Sequence, residues 1–216
     1  MSDIRTPPPV RIWTRPLPIA DGLGVIASAK ARKQAAALAT GELLRAQLPG
    51  LDLRALRRGG NGKPYLPPPW QHIGFNPSDS GGWYLFGMVD GADIGVDLEL
   101  RQPRPKAMAL ARRHFPTAEV DWLAAQEDLD HAFLRLWTMK EALFKAIGRG
   151  LGYGLGKACF QPGADGQLTL AQLDGAAAPA SRWSCAELAL PAHLVGAAVW
   201  SGPPRTILLQ PGPHHS

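Results

Sequence analysis

Two carboxylates occur two residues apart in a short apolar segment of the sequence, at Asp97 and Glu99. Side chains of a strand alternate between its faces, so the two acids share one face while Ile94, Val96 and Leu98 share the other. Neighbouring acids about 7 Å apart along a strand repel each other and need a cation to stay charged together. Because magnesium prefers such oxygen ligands, the spacing predicts a magnesium site. The alternative is a solvated strand face.

A third acid, Glu141, lies in a segment rich in Ala, Leu, Met, Lys and Glu, which are strong helix formers. Three- and four-residue steps place it on one face with otherwise apolar or small residues, namely Leu134, Trp137, Phe144 and Gly148. A carboxylate in an apolar stripe is unfavourable unless a cation meets it. We therefore expect a half-buried helix whose single acid meets a metal ion or a positive charge.

Two lysines flank this acid. Lys140 precedes Glu141 directly, and Lys145 follows one turn later, which is the favourable order for a helical ion pair. Fixed positive charges can neutralise phosphate oxygens during phosphoryl transfer. Together with Asp97 and Glu99, these residues predict a site where a divalent cation and a phosphate group meet.

Hydrophobic periodicity and turn residues divide the chain into short strands and helices. We expect strands at 10–17, 72–76, 84–90, 93–100, 157–161, 167–171, 181–190, 193–200 and 206–209, and helices at 27–48, 106–114, 117–126 and 129–147. The second to fourth strands are expected to form an antiparallel meander. A proline-bearing connector at 101–105 separates two runs of helix followed by strands, which predicts an α+β fold with two similar halves, 1–103 and 104–216.

Composition restricts the class of protein. The chain has 216 residues, 45% of them hydrophobic and 19% charged, which is typical of a globular protein. Its formal charge of +5 favours acidic or phosphorylated partners. Two cysteines without metal-ligand spacing favour a reducing cytoplasm. No leader segment and no apolar run of about 18 residues is evident, so we expect no membrane association.

The strand and helix segments together resemble a known family. Gly95-Val96-Asp97-Leu98-Glu99, followed by Trp137-Thr138-Met139-Lys140-Glu141-Ala142-Leu143-Phe144-Lys145-Ala146-Ile147-Gly148-Arg149-Gly150, is similar to the paired signature of the Sfp-type 4'-phosphopantetheinyl transferases. Gly62-Lys63-Pro64 and the segment from Phe75 to Trp83 also resemble motifs of this family. The resemblance covers most of residues 60–155.

The resemblance implies an enzyme with two similar halves in a pseudo-two-fold arrangement and the active site between them. It implies transfer of the phosphopantetheine arm from coenzyme A to a serine of an acyl, peptidyl or aryl carrier protein, with release of adenosine 3',5'-bisphosphate. The implied metal ligands for Mg²⁺ are Asp97, Glu99 and Glu141. Glu141 would also be the base for the carrier serine.

The resemblance also implies contacts with coenzyme A. Lys140 and Lys145 would meet the pyrophosphate and steady the leaving phosphate. The other expected contacts are Lys63, Ser78 and Asp79, together with a basic residue of the first long helix, for which Lys33 is one candidate. Asp79 departs from the family, which usually has His at a position that meets the 3'-phosphate. Either the loop turns Asp79 away or a nearby cation compensates, with candidates Lys30, Arg32, Lys33, Arg57 and Arg58.

Two alternatives remain open. The first is a catalytically weak homologue that binds carrier proteins but has lost efficient coenzyme A binding through Asp79. The second is a nucleic-acid binder that uses the basic surface between Lys30 and Arg58, although no nucleic-acid motif supports it. The partners expected of a transferase are coenzyme A and an apo carrier protein, with no nucleic acid or membrane. The protein is expected to be a cytoplasmic monomer.

Overall fold

The structure, a computed structural model, describes residues 6–17 and 25–211. Its strands are β1 (Val10–Pro16), β2 (Arg57–Arg58), β3 (Pro64–Tyr65), β4 (Ile73–Ser80), β5 (Trp83–Asp90), β6 (Ile94–Leu100), β7 (Ala158–Pro162), β8 (Leu168–Leu173), β9 (Trp183–Glu187), β10 (Leu194–Ser201) and β11 (Ile207–Pro211). Its α-helices are α1 (Val25–Gln47), α2 (Ala107–His114), α3 (Thr117–Ala124) and α4 (Leu129–Ile147). The predicted α+β class and the predicted helices and strands are confirmed, with boundaries shifted by a few residues.

The two main sheets have matching topologies. In the first sheet the strand order is β11-β1-β5-β4, with β5 antiparallel to both of its neighbours and β11 parallel to β1. In the second sheet the order is β6-β10-β9, and both pairs are antiparallel. If β11 is set aside, each unit runs from an outer strand through a long helix to a strand pair whose last strand lies in the middle. This correspondence supports two similar halves, while a pseudo-two-fold relation between them stays a prediction.

The predicted three-stranded meander is wrong. Its third strand, β6, pairs with β10 rather than with β5. The reason lies in the apolar face of β6, where Ile94, Val96 and Leu98 are buried in one cluster with Ile12 and Leu85 of the first sheet. The side chains of β6 thus pack on the face of the first sheet, while its backbone bonds to the second.

Sheet pairing also bears on the boundary between the halves. A division at 103–104 assigns β6 to the first half and β11 to the second, although β6 pairs with β10 and β11 pairs with β1. We therefore propose that the two units meet at the turn of residues 91–93, with β11 returning to the first unit.

The long helices cover the outer faces of the two sheets. Leu43 and Leu44 of α1 pack against Tyr84 and Phe86 of the first sheet. Leu143 of α4 belongs to a separate cluster on the second sheet. The order of layers is therefore α1, first sheet, second sheet, α4. No helix in the described part of the chain combines the length and apolarity that a bilayer crossing needs.

Helix α4 begins and ends where its sequence predicts. The side chain of Asp128 accepts a hydrogen bond of 2.9 Å from the backbone N–H of His131, which satisfies one of the free donors of the first turn. Gly148 ends the helix in the left-handed conformation with φ of 77°, a conformation that glycine adopts without a steric penalty.

The prediction that α4 is half-buried through one apolar face is wrong, because the helix is buried on nearly all sides. Leu134, Lys140 and Phe144 are all fully buried, whereas Trp137 and Glu141 are only partly buried. The more open stripe continues through Lys145 and Gly148 and faces the groove beside β4 and β6. Periodicity identified the helix but could not show that packing partners surround it.

Gly95 allows α4 to lie directly on β6. A Cβ atom at Gly95 would stand 2.0 Å from the carbonyl oxygen of Ala142 and 2.4 Å from the backbone nitrogen of Ala146. Both are backbone atoms, so no side-chain rotation could relieve the overlap. The glycine therefore sets the distance between the strand that contains Asp97 and the helix that contains Glu141 and Lys145.

Replacing Gly95 by Ala should lower the free energy of unfolding by about 3 kcal/mol or more, since overpacking against backbone forces the helix outward. Gly60→Ala is the matched control, because a Cβ at Gly60 would meet no heavy atom within 4 Å. Urea unfolding of both variants would measure the difference. Equal stability of the two variants would contradict the proposed contact.

Candidate active site

A row of polar side chains joins the edges of the two sheets. On β4, Asn76, Ser78 and Ser80 point towards β6, where Asn76 bonds to the backbone and the two serines bond to acids. The side-chain oxygen of Asn76 accepts a 2.9 Å hydrogen bond from the backbone N–H of Val96. The hydroxyl of Ser78 donates to Oδ1 of Asp97 at 3.0 Å, and that of Ser80 donates to Oε2 of Glu99 at 3.0 Å. We call these contacts the polar seam. Residues 77–80, expected to lie in a loop, thus continue the predicted strand.

Asp97 is the most buried acid at the seam, with 5% of its surface exposed. Its Oδ1 atom accepts a 2.7 Å hydrogen bond from the ammonium of Lys145, which also donates to the Ser78 hydroxyl at 2.9 Å and to the Val96 carbonyl at 3.2 Å. Its Oδ2 atom is buried and accepts no hydrogen bond from any described residue. Burial raises the pKa of Asp97, and Lys145 opposes this shift.

Glu99 lies two residues further along the same strand and is half-buried. Its Oε2 atom accepts a 2.7 Å hydrogen bond from Arg104. Burial raises the pKa of Glu99, and the negative charge of Asp97 raises it further. Sequence analysis did not identify Arg104, because the connector that contains it was interpreted only as a boundary. Its position five residues after Glu99 could have indicated an ion pair between them.

Glu141 faces the same two acids from α4. Its carboxylate is partly buried, which raises its pKa, and the negative charges of Asp97 and Glu99 raise it further while Lys145 lowers it. The structure therefore brings the three predicted acids into electrostatic contact. Because each of them is destabilised as an anion by burial, a cation placed among them would be strongly favoured.

The donor set suits a divalent cation of the magnesium type. No group of three His, Cys, Asp or Glu side chains in residues 6–17 and 25–211 is arranged to hold a metal ion as it stands. In this arrangement Lys145 and Arg104 supply the positive charges for Asp97 and Glu99. The unpartnered Oδ2 atom of Asp97 is an oxygen ligand still free to bind. Oxygen-only coordination by carboxylates is the type that magnesium prefers.

A cleft of about 520 Å³ opens beside the acids. It lies between α1, the β2–β3 hairpin, β4 and the end of α4. Of the predicted site residues, the structure brings Lys33, Lys63, Asp79 and Lys145 together in its lining, along with Arg58. We call this space the basic cleft. Its size and charge suit a phosphorylated ligand of nucleotide size.

Lys63 contributes to the cleft and also holds its wall in place. Its ammonium donates to the carbonyl of Ala146 at 2.7 Å and to Asp93 at 3.1 Å. The first contact satisfies a carbonyl in the last turn of α4, where a cation also interacts favourably with the helix dipole. Burial lowers the pKa of Lys63, and Asp93 opposes this shift.

Lys140 does not reach the site, which corrects the prediction that it meets a pyrophosphate. Its side chain is completely buried and forms a 2.8 Å ion pair with Glu119 of α3. The ammonium also donates to the carbonyls of Leu155 and Ala158 and lies 4.8 Å from the centre of the Phe115 ring. Sequence reasoning failed here because the partner acid lies in another helix.

One comparison with protein families matches about half of the chain. Residues 93–197 match the family described as the 4'-phosphopantetheinyl transferase superfamily. This segment runs from β6 to β10 and contains Asp97, Glu99, Glu141 and Lys145.

Several curated relatives are similar to this chain. The 4'-phosphopantetheinyl transferase psf-1 of Bacillus pumilus is 41% identical over 114 residues, which are 51% of this chain and 47% of that protein. A putative 4'-phosphopantetheinyl transferase of Synechocystis is 39% identical over 104 residues, 45% of this chain and 41% of the relative. The 4'-phosphopantetheinyl transferase Sfp of Bacillus subtilis is 35% identical over 113 residues, 50% and 48% of the two chains. The matched region spans about half the length of these relatives.

Replacing Lys140 by Met should lower the free energy of unfolding by about 3–5 kcal/mol, because Glu119 would be left buried without its partner. The double variant Lys140→Met/Glu119→Leu should recover most of this loss, since both charges are then removed. Denaturant unfolding of the single and double variants is the measurement. A stable Lys140→Met protein that had lost affinity for inorganic pyrophosphate would instead return Lys140 to the site.

Proposed function

We propose that this chain is a 4'-phosphopantetheinyl transferase, because residues 93–197 match the model of the 4'-phosphopantetheinyl transferase superfamily. It moves the phosphopantetheine arm of coenzyme A to a serine hydroxyl of an apo carrier protein. The observation that supports this most is the convergence of Asp97, Glu99 and Glu141 beside Lys145 at the edge of the basic cleft. Phosphoryl transfer depends mainly on positioning and on neutralising charge, and these residues can supply both.

Glu141 is suited to act as the general base. It is partly buried, it lies on the open stripe of α4, and its carboxylate forms no ion pair with another described residue. In the proposed step, a carrier serine loses its proton to Glu141 while its oxygen forms a bond to the phosphorus atom next to the pantetheine. The bond from that phosphorus to the bridging oxygen breaks, and adenosine 3',5'-bisphosphate leaves.

Asp97, Glu99 and Glu141 would hold a magnesium ion in this reaction. The bound ion would neutralise charge on the pyrophosphate and polarise the phosphorus that is attacked. The unpartnered Oδ2 atom of Asp97 supports this assignment, as does the rise that the charge of Asp97 causes in the pKa values of Glu99 and Glu141.

The cleft residues would orient the donor. Lys145 is the cation nearest to Asp97, so it is placed to meet the pyrophosphate and the leaving phosphate. Ser78, whose hydroxyl accepts from Lys145, holds this lysine at the edge of the cleft. Lys63 and Lys33 line the parts of the cleft towards the hairpin and α1, where the nucleotide end of coenzyme A would lie.

The partner proposed is a carrier protein that presents its serine on an acidic helical surface. The net charge of +5 favours association with such a surface. The carriers proposed are those of fatty acid, polyketide or nonribosomal peptide synthesis. The free thiols of Cys159 and Cys185 agree with the proposed cytoplasmic location, and the expected monomeric state stays a prediction.

Incubation of an apo acyl carrier protein with coenzyme A, Mg²⁺ and the purified chain should add one phosphopantetheine arm to the carrier, as measured by intact-protein mass spectrometry. Glu141→Gln should slow this transfer by about 10²–10⁴-fold, the usual contribution of a general base. Coenzyme A binding should remain, because the basic cleft is unchanged.

The exposed Glu127 provides a matched control. Glu127→Gln removes the same charge from the surface and should leave transfer unchanged. Full activity of Glu141→Gln would exclude Glu141 as the base. A wild-type chain that binds the carrier but neither coenzyme A nor its products would favour the alternative of a carrier-binding homologue.

A further inference from the structure

Glu99 is held through one of its two carboxylate oxygens. Its Oε2 atom accepts a 3.0 Å hydrogen bond from the hydroxyl of Ser80 and a 2.7 Å hydrogen bond from the guanidinium of Arg104, whereas its Oε1 atom accepts none from any residue that the structure describes. Asp97, two residues earlier, shows the same arrangement, since a serine and a cation bind its Oδ1 atom and its Oδ2 atom has no partner. The repeat indicates that each pair of donors orients its acid and leaves one oxygen for a ligand.

Arg104 is fixed to helix α4 as well as to Glu99. Its backbone N–H donates a 3.0 Å hydrogen bond to Oδ1 of Asp130, an acid in the first turn of α4. Pro103 and Pro105 flank it in the sequence and restrict the backbone of the connector. The Nε atom of Arg104 is buried and has no hydrogen-bond partner among the described residues. The guanidinium thus extends from a fixed backbone position to a single carboxylate.

This contact connects two of the acids proposed to bind the metal ion. Glu99 lies on β6 and Glu141 lies on α4, and the connector bound to α4 places Arg104 against Glu99. A glutamate side chain has several rotatable bonds, and ordering it costs up to about 2 kcal/mol. Two hydrogen bonds on Oε2 remove this freedom before an ion binds, so Oε1 is left as the ligand oxygen.

The positive charge of Arg104 acts in the opposite direction, because it repels a nearby divalent cation. Two observations limit this repulsion. The guanidinium binds Oε2 and not the oxygen left for the ion. The Arg104 side chain is also 32% exposed, so solvent screens its charge. We therefore expect the orienting effect of Arg104 on metal binding to exceed its repulsion.

We propose that Arg104 is a positioning residue of the metal site, which holds Glu99 so that its Oε1 atom is ready to bind the divalent ion. Ser80 supplies the second hydrogen bond from the first sheet. The inference rests on the proposed function, because it concerns the ion that the transferase would use. It adds the connector 101–105 to the elements that build the site.

The test measures the Kd for Mn²⁺ by electron paramagnetic resonance, with neither coenzyme A nor a carrier present. Arg104→Met should raise this Kd about 10–100-fold, the usual effect of removing a partner that orients a metal ligand. Arg104→Lys should give a smaller rise, because it keeps the charge but not the planar fork of donors. Ser80→Ala should also raise the Kd, since it removes the other hydrogen bond on Oε2 of Glu99.

Arg101→Met is the matched control. Arg101 is an exposed arginine of the same connector, and its guanidinium donates to Asp128 at 2.6 Å instead of to Glu99. Its removal takes away the same charge and should leave the Kd for Mn²⁺ unchanged. Urea unfolding of the metal-free variants shows whether each one folds, and Arg104→Lys carries the test if Arg104→Met does not. An unchanged or lower Kd in the folded Arg104 variants would overturn the inference, because a merely structural role would alter stability alone.

Transfer assays on the same proteins separate this inference from the proposed function. Mn²⁺ binding that weakens in Arg104→Met, in a chain that transfers nothing from coenzyme A, would support the positioning role and refute the transferase activity. Transfer by the wild-type chain, with a Kd for Mn²⁺ that does not depend on Arg104, would refute the positioning role alone. A wild-type chain that bound no Mn²⁺ would overturn both the metal site and the role of Arg104.

Discussion

The buried carboxylate of Asp97 is the constraint on which the site depends. An acid with so little exposure is unfavourable unless positive charge and hydrogen bonds surround it, and here Lys145 and Ser78 meet one of its oxygens. Ser78 comes from the first sheet, Asp97 from the second, and Lys145 from α4. One carboxylate therefore fixes the relative position of the three elements that build the site. Its second oxygen is buried and accepts no hydrogen bond from a described residue.

Close packing supplies the precision that this contact requires. Because Gly95 has no side chain, the backbone of α4 lies directly on β6, and Glu141 and Lys145 reach the acids of that strand. On the far side of the same helix, the Lys140–Glu119 ion pair connects α4 to α3, and the Lys140 ammonium also binds carbonyls just before and at the start of β7. Two lysines five residues apart thus have different tasks. Lys145 faces the acids, and Lys140 stabilises the core that holds the helix.

Much of this arrangement could be predicted from sequence because it is local. Period-two and period-four patterns identify the strands and helices, and alternation along β6 correctly separates Asp97 and Glu99 from the apolar residues. The pairing of β6 with β10, the burial of Lys140 and the contact of Glu99 with Arg104 were missed. The first two depend on residues that are distant in the chain. Periodicity shows on which side of a helix a residue lies but not which element packs against that side. It therefore could not show that Lys140 meets Glu119 whereas Lys145 meets Asp97.

The central claim is that three acids from one strand and one helix bind a single divalent ion beside the basic cleft. Anomalous diffraction from crystals soaked in Mn²⁺, a substitute for Mg²⁺ that can be located directly, tests it most directly. The account predicts one strong peak with oxygen ligands from Asp97, Glu99 and Glu141. A peak held by other residues, or one that Glu141 does not reach, would contradict it.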